Sequence, residues 1–195
     1  MISLIPSLNR IWRQEPAGYQ PGLTLDRLTQ NLHPYACERL SARQLRLRLQ
    51  QGLSIDICEQ AQGLFMAHIV SHRFCVSGEC GWSAPLTMEA IAQGWLRQRG
   101  VQFRCRRTHA GTAVLLAALN SYPQIADTLA RLDFRRARLI VAAGRWSFEI
   151  EHFAASEVVS RIPAGRRYLH LERAQRQHLL SALLMMGQLM EKLNG

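Results

Sequence analysis

The sequence predicts an α+β fold built from two β-α-β4-α units, residues 1–99 and 100–195, and three observations lead there. The first is an echo. Gly52 to Ala61 reads GLSIDICEQA and Gly144 to Ala154 reads GRWSFEIEHFA, so that Ser54-Ile55-Asp56-Ile57 falls on Ser147-Phe148-Glu149-Ile150 at an offset of 93. The same offset carries Ala61 to Ala154, Ile69 to Ile162, Arg73 to Arg166 and Gly94 to Gly187. Upstream of the glycines it becomes 92, matching Arg46 to Arg138 and Leu47 to Leu139, as one residue added in the second turn requires. The second observation is period-two alternation in several short runs, and the third is helical patterning at equivalent places in both halves.

In the first half, RIWRQ (10–14) is the opening strand and TLDRLTQNL (24–32) a helix stopped by Pro34. LRLRLQ (45–50) alternates, with Leu45, Leu47 and Leu49 on one face and Arg46 and Arg48 on the other, the pattern of a half-buried strand. SIDIC (54–58), LFMAHIVSH (64–72) and RFCVS (73–77) make three more strands. PLTMEAIAQGWLRQ (85–98) reads as a helix: Pro85 suits a first turn, Leu86, Ala90 and Ile91 form a stripe, and Gly100 ends it. In the second half the order repeats. VQFRCRR (101–107) is a strand, a helical stretch runs from Thr112, and Ser121 with Pro123 opens a second helix. RARLIV, SFEIEHF, EVVSRI and RRYLHL follow as strands, then a helix from about Glu172 to Leu193.

This order of elements resembles the TATA-binding-protein-like fold. The resemblance implies one continuous curved antiparallel sheet with the helices on its convex side. It rests on topology alone, and no local motif here matches that family's DNA-distorting phenylalanines. The alternative architecture is a single helix-grip cup, a sheet wrapped round the C-terminal helix, which an apolar interior cavity would mark.

Composition narrows the function. The chain carries 24 basic against 14 acidic residues, a formal charge of +10, and only Lys192 among the basic residues is not arginine. That balance favours anionic partners: nucleic acid, phosphorylated molecules, an anionic membrane surface or an acidic protein. Genomic base composition, which inflates arginine, is the bland alternative. The N-terminus does not read as a signal peptide, and the apolar run Leu179 to Met190 is shorter than the roughly 20 residues a bilayer span needs. Five scattered cysteines argue against a disulfide framework and point to a reducing cytoplasm.

Two groups of residues stand out as candidate sites. If Ile55, Ile57, Phe148 and Ile150 face the helices, then Arg46, Arg48, Asp56, Arg138, Glu149 and Glu151 share the open sheet face. A hairpin centred near residue 51 sets Arg46 opposite Asp56, and one centred between 143 and 144 sets Arg138 opposite Glu149. A face laced with such pairs is a poor nucleic-acid surface, which needs unpaired cations. The second group, in RQRGVQFRCRRTHAGT (97–112), sets Arg104, Arg106 and Arg107 just before a helix beginning near Thr112, an arrangement suited to phosphate. The bland alternative is an exposed strand edge kept soluble by charge.

His68, His72, Cys75 and Cys80 lack metal-site spacing, and no GxSxG, HExxH or GxxxxGK[ST] motif is present. No cofactor or metal is therefore expected. The sequence favours a non-catalytic cytoplasmic binding or adaptor protein, with an apolar-ligand carrier or an enzyme of unrecognised motif as alternatives. The C-terminal helix, apolar over more than one stripe, is expected to pack against the equivalent helix of the first half or to serve as a dimer or partner interface.

Overall fold

A computed structural model describes residues 15–49, 52–82, 84–93, 100–105 and 110–194. Among these the chain runs α1 (Leu23–Leu32), β1 (Cys37–Ser41), β2 (Gln44–Arg48), β3 (Ser54–Gly63), β4 (Ala67–Glu79), β5 (Leu86–Gln93) and β6 (Gly100–Cys105). It continues through α2 (Ala110–Asn120), α3 (Pro123–Ala130), β7 (Phe134–Ala142), β8 (Arg145–His152), β9 (Ser156–Arg161), β10 (Ala164–Leu169) and α4 (Arg173–Asn194). The strands form one antiparallel sheet in the order β1-β2-β3-β4-β8-β7-β5-β6, with β9 pairing β4 and β10.

Alternation sorts the sheet into two faces. Leu45, Leu47, Ile55, Ile57, Phe74, Val76, Leu139, Phe148 and Ile150 are buried in one core with Leu25 and Leu28 of α1, Leu115 of α2, Ile125 of α3 and Leu183 of α4. All four helices thus contribute to the core against one side of the sheet, and the charged residues of the alternation fall on the other. Ala143 and Gly144, both at positive φ (51° and 73°), form the tight β7–β8 turn that matches the strand twist.

The long strand β4 organises the sheet. One edge pairs with β3 along most of its length. The other pairs with β9 through Ala67–Val70 and with β8 through Arg73–Glu79. Between β8 and β9 the chain kinks at the buried Ala155, held at φ 55°, so two short strands share one edge of a long one.

Several expectations are corrected. Residues 86–93 form strand β5, not a helix. The segment reads both ways, since Leu86, Met88 and Ala90 alternate as well as they stripe, and burial of Met88 and Ala90 between β7 and β6 decides it. The two runs expected over 64–72 and 73–77 are one strand, β4, that begins only at Ala67 and runs on to Glu79, because the polar Ser71 and His72 at the supposed break are buried with partners. β1 has no alternating pattern, being an exposed edge strand, and was not foreseen. The expected strand at 10–14 and the end of the expected helix, 94–99, lie outside the described residues. With β5 in its place, the first half offers no helix over 86–93 for α4 to meet. α4 instead packs on α3, β4 and β8. The other expected elements of the second half are present.

Candidate functional site

The register of the sheet sets eight open-face residues in one transverse line: Glu38, Arg46, Asp56, Cys75, Glu149, Arg138, Glu89 and Arg104. Their charges alternate except where the Cys75 thiol separates two carboxylates. Arg46 donates from Nε to Asp56 Oδ1 at 2.6 Å and from Nη2 to Oδ2 at 3.0 Å, a bidentate pair that raises the guanidinium pKa further. Arg138 Nε donates to Glu149 Oε2 at 2.8 Å, and Arg73 Nη1 reaches the same carboxylate at 3.3 Å. Both cross-strand oppositions read from the hairpins are therefore present. Arg48 pairs with Glu38 at 2.6 Å.

One row along lie Gln44, Cys58, Arg73, Glu151 and Arg136. Glu151 accepts from Ser71 Oγ at 3.0 Å and Arg135 Nη1 at 3.1 Å. Arg136 makes no ion pair among the described residues. It lines a shallow hollow of about 170 Å³ with Gln60, Arg73, Arg138, Glu149 and Glu151. Burial, then Glu149 and Asp56, push the Cys75 thiol up to about 12, and burial raises Cys58. Neither is a thiolate near neutrality, so this face offers charge and hydrogen bonds rather than a nucleophile.

At the other basic group, Arg104 is exposed on β6 while Phe103 beside it is buried, as alternation requires. Glu89 stands opposite Arg104 in the register, but no ion pair to Arg104 is formed among the described residues. Arg104 borders a groove of about 850 Å³ whose wall includes Pro85, Leu86, Ile91 and Ile140. Thr112 is 3% exposed and lies inside α2, which begins at Ala110, so its hydroxyl is not on the surface with Arg104. Arg106 and Arg107 lie outside the described residues.

Sequence reasoning missed a polar layer buried beneath α1. Glu59, 5% exposed, accepts from the Tyr19 hydroxyl (2.6 Å), the Gly22 N–H (2.8 Å) and the Leu25 N–H (3.2 Å), so a carboxylate closes the helix N-terminus. Burial raises its pKa, but His72 and these donors outweigh burial and leave it below the ordinary carboxylate value. His72 donates from Nδ1 to the Ala155 carbonyl, holding the β8–β9 kink, with Nε2 3.5 Å from Glu59 Oε2. Nearby, the buried Glu157 pairs with Arg27 at 2.8 Å, and the buried His68 has an unpartnered Nδ1. Parity carried the signal: Glu59 follows Ile55 and Ile57 on the core face. Among the described residues no three such side chains converge as a metal site.

Burial lowers the pKa of His68, helped by Arg166 and Arg161 against Glu157, and burial lowers that of His152. The unfolded chain therefore binds more protons than the folded one between the depressed values and the ordinary 6.5. The resulting stability is complete above that ordinary value and is lost as pH falls through the window. Urea midpoints should fall between about pH 7.5 and about pH 5.5; a flat profile would count against buried neutral histidines.

Comparison with known proteins adds one decisive match, of residues 30–190 to the family described as Protein of unknown function (DUF3156). The chain belongs to the DUF3156 family. No match was found among curated proteins or among solved structures. The DUF3156 span contains the whole charge line from Glu38 to Glu149, Arg104 and the buried Glu59, His68, His72 and Glu157. Tyr19 and Arg27, which complete the layer beneath α1, precede it.

Proposed function

We propose that this DUF3156 protein is a non-catalytic binding or adaptor protein that takes an anionic partner at the β6–α2 junction, through Arg104 together with Arg106 and Arg107. The observation that carries the reading is the state of Arg104. Arg46, Arg73, Arg135 and Arg138 are engaged by carboxylates. Arg104, exposed at the groove, has no such partner among the described residues and can give its planar fork to phosphate or carboxylate oxygens. We propose cytoplasmic residence as well, in line with the odd number and scattered placement of the five cysteines.

The triple variant Arg104→Ala/Arg106→Ala/Arg107→Ala should bind heparin and single-stranded nucleic acid more weakly, with the logarithmic salt slope reduced by about two to three. Its melting temperature should stay near that of wild type, because Arg104 is exposed. Equal binding by the variant, or no salt-sensitive polyanion binding by wild type, would overturn the site.

The groove supports a second reading, a carrier of a small apolar ligand. Native mass spectrometry finding a stoichiometric lipid would favour it. The half-exposed Leu184 and Met185 keep α4 as a proposed dimer or partner contact. The matching Arg46–Asp56 and Arg138–Glu149 pairs likewise support a proposed duplication of the β2–β3 and β7–β8 hairpins.

A further inference from the structure

Two β-turns meet at one end of the sheet. β3 and β4 pair up to Gly63↔His68, leaving Leu64, Phe65 and Met66 as the turn, and β9 and β10 pair up to Arg161↔Ala164, leaving Ile162 and Pro163. β4 and β9 are neighbours there: Ala67 pairs with Ser160, and the Arg161 N–H donates to the Met66 carbonyl at 2.8 Å. The turns therefore lie side by side. Their side chains are apolar and uncovered, with Phe65 93% and Ile162 70% exposed and Leu64 and Met66 also exposed. Single exposed apolar residues are ordinary, but four on two adjoining turns form a patch.

Its flanks are basic. Arg161 and Arg167 are exposed and make no ion pair among the described residues. Arg166, also exposed, reaches only the buried Glu157, at 3.8 Å. An apolar tip with the exposed Arg161 at its base and the exposed Arg167 three residues further along β10 matches an anionic bilayer surface, where the rings and aliphatic chains enter the headgroup–acyl boundary while arginines meet lipid phosphates. A protein pocket for the same tip would have to supply both an apolar cup and an acidic rim.

We propose that this double tip, Leu64 to Met66 with Ile162 and flanking Arg161 and Arg167, docks the protein onto anionic lipid bilayers as a peripheral contact. No helix among the described residues is long and apolar enough to cross a membrane, and the proposed contact is interfacial. It uses a different surface from Arg104 and does not depend on the anion site proposed there.

The test is co-sedimentation of the full chain with phosphatidylcholine vesicles, with and without a minority of phosphatidylserine. Wild type should pellet with the phosphatidylserine vesicles at low salt and be released by added salt. Phe65→Ala/Ile162→Ala should lower the partition coefficient about tenfold or more while leaving heparin binding unchanged. Arg161→Ala/Arg167→Ala should lower it several-fold and flatten its dependence on phosphatidylserine. Phe65→Trp should show a blue shift of emission on adding vesicles that exceeds any shift of wild type. Absence of phosphatidylserine-dependent pelleting, or pelleting untouched by the Phe65/Ile162 variant, overturns the proposal. So does a Phe65→Trp variant that pellets with no added blue shift, since the tip would then not enter the bilayer.

Discussion

Truncating Phe148 to alanine is expected to destabilise the protein by about 3–5 kcal/mol and to lower its melting temperature by about 10 °C. Phe148 is fully buried on β8, opposite Val76 of β4 and Leu139 of β7, with its ring 6.3 Å from that of Phe103 on β6. It thus joins the strands of both halves of the chain. Alanine would lose the transfer free energy of the ring and leave a cavity that strands held on both edges cannot collapse to fill. Phe148→Leu, which keeps most of the volume, should lose markedly less. Chemical denaturation of the three proteins checks this; equal losses for the alanine and leucine variants would show that β8 does not pack as described.

Replacing Glu59 by alanine should destabilise by about 3 kcal/mol, with the loss concentrated in α1. The substitution strands the buried Gly22 and Leu25 N–H groups, takes the partner of the half-buried Tyr19 hydroxyl, and removes the negative charge at the positive end of the helix. The chain cannot easily shift to compensate. Gly22 sits at φ 88°, and a Cβ there would lie 2.6 Å from the Ala42 carbonyl oxygen, so α1 enters the fold along a tightly limited path. Amide exchange should accelerate across Leu23–Leu32 more than in β7 and β8. Because the folded-state pKa of Glu59 is depressed, its contribution is complete above the ordinary carboxylate value and lost as pH falls below it. Glu59→Gln should accordingly reduce acid sensitivity in that range. Exchange rising uniformly over the whole sheet would refute the assignment of Glu59 to α1.

Both sites expose how differently local and non-local information enters this sequence. The Arg46–Asp56 and Arg138–Glu149 pairs were legible because a hairpin is local: its centre and the period of two together set which residues oppose each other. The apolar faces of β2, β3, β7 and β8, the helices α1 and α4, and the strand β6 were legible for the same reason, since each states its own period within a few residues. The reading as α+β with a large antiparallel sheet holds, but within the helix expected over residues 85–98 the described residues 86–93 are a strand.

What needed the tertiary structure was every choice in which two local readings were equally good, or in which the partner lay far along the chain. Residues 86–93 satisfy a helical stripe and a strand alternation alike, and the open edges of β7 and β6 settle the matter by pairing with both sides of β5. Glu59 looks like a surface charge until α1, more than thirty residues earlier, presents its unpaired N–H groups to it. His72 looks like a break in a strand until the Ala155 carbonyl, 83 residues later, accepts a hydrogen bond from its Nδ1. The eight-strand charge line and the paired tips at Phe65 and Ile162 arise from strand neighbours, β4 with β8 and β9, that no local pattern encodes. Periodicity determines which way a side chain faces; only the assembled sheet determines what it meets there.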